Sequence, residues 1–168
     1  MPSSRTLIGS QTLASSAASV TFSSIPATYT DLVLKLSVRA AGTDATMKIG
    51  FNGSTSNFSL TLLAGNGSSS YSDNYAGYGY NMSGYRSKST DTSNTFGNGE
   101  IYIPSYTVSQ NKPVSSVGVS ENNATSAFIG AVANLWSNTS AITSIEIGSG
   151  SGDMAAGSSF YLYGIKNS

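Results

Sequence analysis

"DLVLKLSVRA", residues Asp31–Ala40, sends Leu32, Leu34, Leu36 and Val38 to one side and Val33, Lys35, Ser37 and Arg39 to the other. Such a period of two marks a half-buried β-strand. Outward from it, short runs rich in Val, Ile, Thr, Tyr and Phe recur at even spacing, parted by clusters of Gly, Ser, Asn and Asp. The pattern predicts strands near 6–13, 19–22, 31–39, 46–51, 57–63, 78–86, 99–103, 114–120, 127–135, 142–147 and 159–165. "FNGSTSNF" and "GNGSSS" supply Asn-Gly turn signals between them. "ATSAFIGAVANLW" is the one stretch with a helical option, and its Val and Ile content with flanking Asn favours a strand. About ten strands without a convincing helix define an all-β chain: a two-sheet antiparallel β-sandwich, jelly-roll-like, with an extended N-terminal arm.

Composition narrows the chemistry. The 168 residues fit one domain, with 1–19 as arm or first strand and 20–168 as the sandwich. Only 10% are charged, against about 25% in ordinary soluble domains, and the formal net charge is zero. The eight Lys and Arg are scattered, so no field gathers phosphates and nucleic acid is not an expected partner. Cysteine and histidine are absent, which removes disulfides, Cys nucleophiles, His-based triads and the common zinc sites. Of eight carboxylates, none forms a close-spaced pair of the kind that would suggest a glycosidase. "GSGSGD" (Gly148–Asp153) lacks the Lys of a phosphate loop and is expected to be a turn. Asp73 with Asn74, and Asp153, are lone calcium candidates without the several ligands that calcium takes. The six Asn-X-Ser/Thr triplets, at Asn52, Asn57, Asn66, Asn81, Asn123 and Asn138, reflect loop composition. The expectation is a non-enzyme with no cofactor and no metal. No signal-peptide block opens the chain and no run nears the ~20 apolar residues of a membrane span, so a membrane partner is not expected.

Three segments are candidate contact surfaces. In the closing strand, Phe160, Leu162 and Gly164 share one face while Tyr161, Tyr163 and Ile165 share the other, and neither face is polar. The arm carries Leu7 and Ile8 in "RTLIGSQTL"; about 20 extended residues reach on the order of 65 Å, enough to touch a neighbouring subunit. The alternative is that this stretch is simply the first strand. Finally, "YSDNYAGYGYNMSGYRSKST" interleaves Tyr71, Tyr75, Tyr78, Tyr80 and Tyr85 with Gly, Ser and Asn, the composition of binding loops. The competing account of that segment is an edge hairpin with its tyrosines flat on the sheet.

"FSSIPATYTDLVLKLSVRA" (Phe22–Ala40), "GEIYIPSYTVSQNKPVSSVG" (Gly99–Gly118) and "SSFYLYGIKNS" (Ser158–Ser168) together resemble small virion structural proteins of tailed bacteriophages. The likeness covers under half of the chain and rests on an IP-x-x-Y-x-D-L entry, a central I-P-x-Y and a terminal Y-L-Y-G-I. It implies β-sandwich modules that assemble, commonly as homotrimers, and it offers no catalytic residue. The expected location is the virion, on the outer surface of a capsid assembled in the host cytoplasm. There a decoration or cement protein contacts the major capsid protein. The alternative is a tail-fibre or receptor-binding domain whose tyrosines meet host-surface glycans. With no heptad segment or shaft in the sequence, decoration is the expectation.

Overall fold

The computed structural model describes residues 4–54, 56–78, 81–121 and 126–166. Twelve strands run in chain order: β1 (Ser4–Thr12), β2 (Ser19–Phe22), β3 (Asp31–Val38), β4 (Thr46–Phe51), β5 (Phe58–Gly65), β6 (Ser70–Tyr78), β7 (Asn81–Tyr85), β8 (Gly97–Ile103), β9 (Lys112–Glu121), β10 (Ala127–Trp136), β11 (Ile145–Ser149) and β12 (Ser159–Lys166). No helix occurs among the described residues, and Ala127–Trp136 is a strand. An eight-stranded sheet, ordered β1-β12-β3-β8-β9-β10-β5-β6, packs against a four-stranded sheet, β2-β11-β4-β7. The chain is an antiparallel two-sheet sandwich.

The pairings nest. β1 pairs β12 and β3 pairs β8 in the large sheet, β2 pairs β11 and β4 pairs β7 in the small one, and β5 pairs β6 back in the large one. A long antiparallel ribbon thus folds over so that successive pairs alternate between layers, as in a jelly roll. β9 and β10 form a further pair that fills the large sheet between β8 and β5.

Ser4–Thr12 is the edge strand of the large sheet, laid antiparallel on β12, with a bulge between Leu7 and Gly9. The bulge matters because edge strands offer unpaired backbone groups to other chains. β4 leaves its sheet through a tight turn in which Asn52 and Gly53 both take positive φ and Ser54 N donates to Phe51 O. Two residues with φ > 0 are what a type I′ turn demands, and Asn-Gly is its preferred pair. Asn66-Gly67 makes the β5–β6 hairpin, where the Asn66 carboxamide oxygen accepts from Ser68 N and Ser69 N.

The core lies between the sheets. Leu32, Leu34 and Leu36 of β3, Phe160 and Leu162 of β12 and Ile101 and Ile103 of β8 meet Ile49 and Phe51 of β4 and Ile145 and Ile147 of β11. Phe51, Phe58 and Trp136 close one end with ring centroids 5.5–6.2 Å apart. Ile142, expected to start a strand, lies outside β11 and is pinned instead by Ile142 N donating to Tyr106 O. Farther along the large sheet the lining thins. One inward row runs Leu162, Leu34, Ile101, Ser116, Val132, Leu62, and the next runs Phe160, Leu36, Gly99, Gly118, Gly130, Ala64. Three glycines in register remove side chains from the middle of that row, and β7 approaches β9 and β10 to Cα separations within 8 Å. Stacked sheets ordinarily sit about 10 Å apart, so glycine here marks close backbone approach.

Two cations are buried in this frame. The Arg86 guanidinium donates to Asp44 O (3.1 Å), Asp153 O (3.3 Å), Ser149 Oγ (2.5 Å) and Ser151 O (3.1 Å). "GSGSGD" is therefore a turn whose oxygens surround a cation, the reverse of a phosphate loop, whose N–H groups surround an anion. Burial lowers the pKa of Arg86, and Asp44 and Asp153 oppose that shift. Lys112 is buried, with Nζ donating to Val108 O at 2.7 Å and to Gln110 O, and desolvation lowers its pKa.

Candidate functional site

Three regions carry the candidate residues. The first is the outer face of the large sheet at its β1 end. Register aligns Leu7, Tyr163, Val33 and Tyr102 in one row, and Ser10, Tyr161, Lys35 and Glu100 in the next. Val33 is only 1% exposed although it lies on the outward side, because Tyr163 and Tyr102 flank it. Tyr102 is fixed by its hydroxyl donating to Asp31 Oδ2 at 2.8 Å, while Ser105 N donates to Asp31 Oδ1 at 2.9 Å. That hydrogen bond, then partial burial and the Asp31 charge, raise the Tyr102 pKa. Lys35 and Glu100 form an ion pair beside Tyr161. The second face of the closing strand is therefore part cover and part surface: Tyr163 shelters Val33, Tyr161 and Leu7 are exposed, and Ile165 is half-buried. Ile8 sits at the bulge, half-buried, and packs against the main core.

The second region is the Tyr-rich segment, which is not one loop. Tyr71 and Tyr75 belong to β6, the far edge strand, opposite Ala64 and Leu60. Both take inward register positions, and Tyr75 is half-buried on a satellite cluster of Leu60, Leu62, Ala64 and Val132. Its hydroxyl donates to Asp73. Tyr78 closes β6 and Tyr85 closes β7, so the chain crosses from the large sheet to the small one between them. Tyr80 lies outside the described residues. The tyrosines are thus divided between two layers.

Sequence reasoning missed the rest of the large sheet's outer face. Leu63 (61% exposed), Val117 and Ile129 (50% exposed) stand there in neighbouring rows with Ala131 and Val119. The alternation of Val117 and Val119 with Ser116 and Gly118 was a usable signal, because it places apolar residues opposite an inward row of small ones.

The third region was also missed. At the open end between the sheets, a cleft of about 570 Å³ is bounded by Tyr71 and Phe128 on one side and by the segments 43–46 and 88–91 on the other, with Ser120 and Glu121 between them. The segment holding Lys88–Thr95 has few apolar residues and is set by charge. Arg39 donates to the carbonyls of Ser89 (3.0 Å), Asp91 (3.0 Å), Thr92 (2.8 Å) and Thr95 (2.9 Å). Glu121 accepts from Thr92 N (2.7 Å), Thr92 Oγ1 (3.0 Å) and Thr95 Oγ1 (2.8 Å). Hydrogen bonds to ionised groups are the stronger kind, so this wall is preorganised. Among the described residues, no three His, Cys, Asp or Glu side chains gather as a metal site requires.

Compared with protein-family models, curated proteins and solved structures, the chain matches none. Its class rests on the fold itself: an all-β, two-sheet antiparallel sandwich.

Proposed function

We propose that this chain is a non-enzymatic virion structural protein of a tailed phage, a decoration protein that bridges capsomers from the outer surface of the shell. The observation that carries the reading is the outer face of the large sheet, where Leu7, Leu63, Val117 and Ile129 stand exposed on a chain of which only 10% is charged. Solvent-facing sheet sides are ordinarily polar, and an apolar one is a surface for contact. The sequence resemblance to small virion proteins supports the same reading. Burying a few hundred Å² of apolar surface per contact yields several kcal/mol at about 25 cal/mol per Å², before association costs. Heating decorated and stripped capsids side by side tests the role: decorated shells should rupture at a higher temperature, and equal temperatures overturn it. Copy number per particle separates head from tail, hundreds favouring the shell and tens the fibre.

The same reading includes a homotrimer in which Tyr161, Tyr163 and Ile165 meet other copies. Because Tyr163 flanks Val33, an Asp there also uncovers the sheet, whereas Tyr161 is exposed and gives the cleaner test. Tyr161→Asp should fold with an unchanged melting temperature and sediment as a monomer. A variant that remains trimeric places the interface elsewhere.

A further inference from the structure

We infer that the cleft at the open end of the sandwich is a binding site for a neutral saccharide. The inference does not rest on the proposed virion role, and the capsid-heating experiment is blind to it.

The volume, about 570 Å³, falls within the range of small-ligand sites, roughly 300–1,000 Å³. Its two sides differ in kind. Tyr71, 46% exposed, and Phe128 supply aromatic surface, and ring faces carry negative potential that suits the weakly positive C–H groups of a pyranose. The opposite side supplies oxygen acceptors. Asp44 Oδ1 accepts from Thr46 N and Thr46 Oγ1 at 2.7 Å, and Asp91 Oδ2 accepts from Lys88 N at 2.5 Å. Among the described residues, Asp44 Oδ2 and Asp91 Oδ1 accept no hydrogen bond. Asp91 is thus held by one oxygen and keeps the other for a hydroxyl donor, whereas Asp44 Oδ2 is turned toward Gly150, so that a Cβ there would lie 2.8 Å from it. A ligand with an apolar face and a hydroxylated edge matches both sides together.

Charge decides against an ionic ligand. The lining carboxylates Asp44, Asp91 and Glu121 are answered by Lys88 on the lining and by Arg39 and Arg86 immediately behind it. The local sum is near zero, so neither a cationic peptide nor a phosphate gains a net attraction. Preorganisation favours binding as well. Arg39 and Glu121 fix the 89–95 segment before any ligand arrives, which removes the ordering cost that weakens sites built on free loops.

The test is titration of the full chain, by saturation-transfer NMR and calorimetry, with maltotriose, cellotriose and N,N′,N″-triacetylchitotriose as probes and tetralysine as the charged control. At least one trisaccharide should bind one per chain, and Tyr71→Ala should weaken it at least about tenfold with an unchanged melting temperature. Asp91→Asn, which keeps an acceptor for Lys88 N, should weaken binding by a smaller factor. Failure of all three sugars to bind overturns the inference. So does binding that Tyr71→Ala leaves intact, or a preference for tetralysine.

Discussion

The two ends of the large sheet are built from the same kind of strand and hold together by different means. Toward β1, the inward row reads Leu162, Leu34, Ile101 and faces the isoleucines of the small sheet; toward β6, the same row reads Ser116, Val132, Leu62. The first end is close-packed apolar core. The second gives Phe58, Val114 and Trp136 to that core and rests besides on a satellite cluster of Leu60, Leu62, Ala64 and Val132, a line of glycines, and polar bonds from Arg39, Arg86 and Glu121. Their outer faces differ as well: aromatic cover, an ion pair and the exposed Leu7 at the first end, the exposed Leu63, Val117 and Ile129 at the second. A sheet can thus concentrate stability in one half and leave surface and space for partners in the other.

The largest expected effect breaks this comparison most directly. Leu34→Ala, in the middle of the main core, should cost about 4 kcal/mol, while Leu62→Ala, in the satellite cluster, should cost about 2 kcal/mol. Urea unfolding measures both, and equal costs would mean that the two ends are equally packed. Next comes Gly164→Ala. A Cβ there would lie 2.3 Å from the Tyr29 ring, so the ring must move, at a cost of about 2 kcal/mol in the same assay. Smaller again is Arg39→Met, expected to cost about 1 kcal/mol globally because exposed carbonyls rehydrate. Its main effect should be local: amides of the 89–95 segment should exchange faster while those of β3 stay protected.

The smallest effect is alkaline. Tyr102 and Tyr106 have raised pKa values, Tyr106 through burial, so their stabilisation is complete below the unfolded value near 10 and falls as pH climbs through the folded values. Lys112 is lowered, so between its folded value and the unfolded one near 10.4 the unfolded chain holds the extra proton and stability rises with pH. Unfolding from pH 8 to 11 should show Tyr102→Phe softening the loss and Lys112→Met removing the opposing rise.

Legibility in the sequence follows the same division. β3 was readable because its inward Leu32, Leu34, Leu36 and Val38 are large and alternate. β10 was readable instead from its Val and Ile content and flanking Asn, and β12 from its aromatic and β-branched content although both of its faces are apolar. β6 has the composition of a binding loop, since Tyr, Gly, Ser and Asn dominate it, and it takes the edge-hairpin alternative, paired with β5 at the sheet's edge. Tyr71, Asp73 and Tyr75 recur with period two and answer Ala64, Leu62 and Leu60. The Asn66-Gly67 turn before it was recognised without the strand that it starts. The cleft had no local signature at all: its walls come from segments brought together only by the winding, and Arg39 stands in the sequence simply as the last outward residue of the 31–39 strand.

That winding also sets a schedule. Among the described residues β1 pairs with β12 alone, with Ser4 opposite Lys166, so the first of the twelve strands waits for the twelfth. At 5–20 residues per second the wait is on the order of ten seconds, long beside the millisecond-to-second folding of β-rich domains. Throughout it the β3 edge, destined for β12, stays unpaired. The bulge at Leu7 protects the finished edge, but nothing comparable protects β3 during synthesis, and that is when a nascent chain of this kind is most exposed to pairing with its neighbours on the same message.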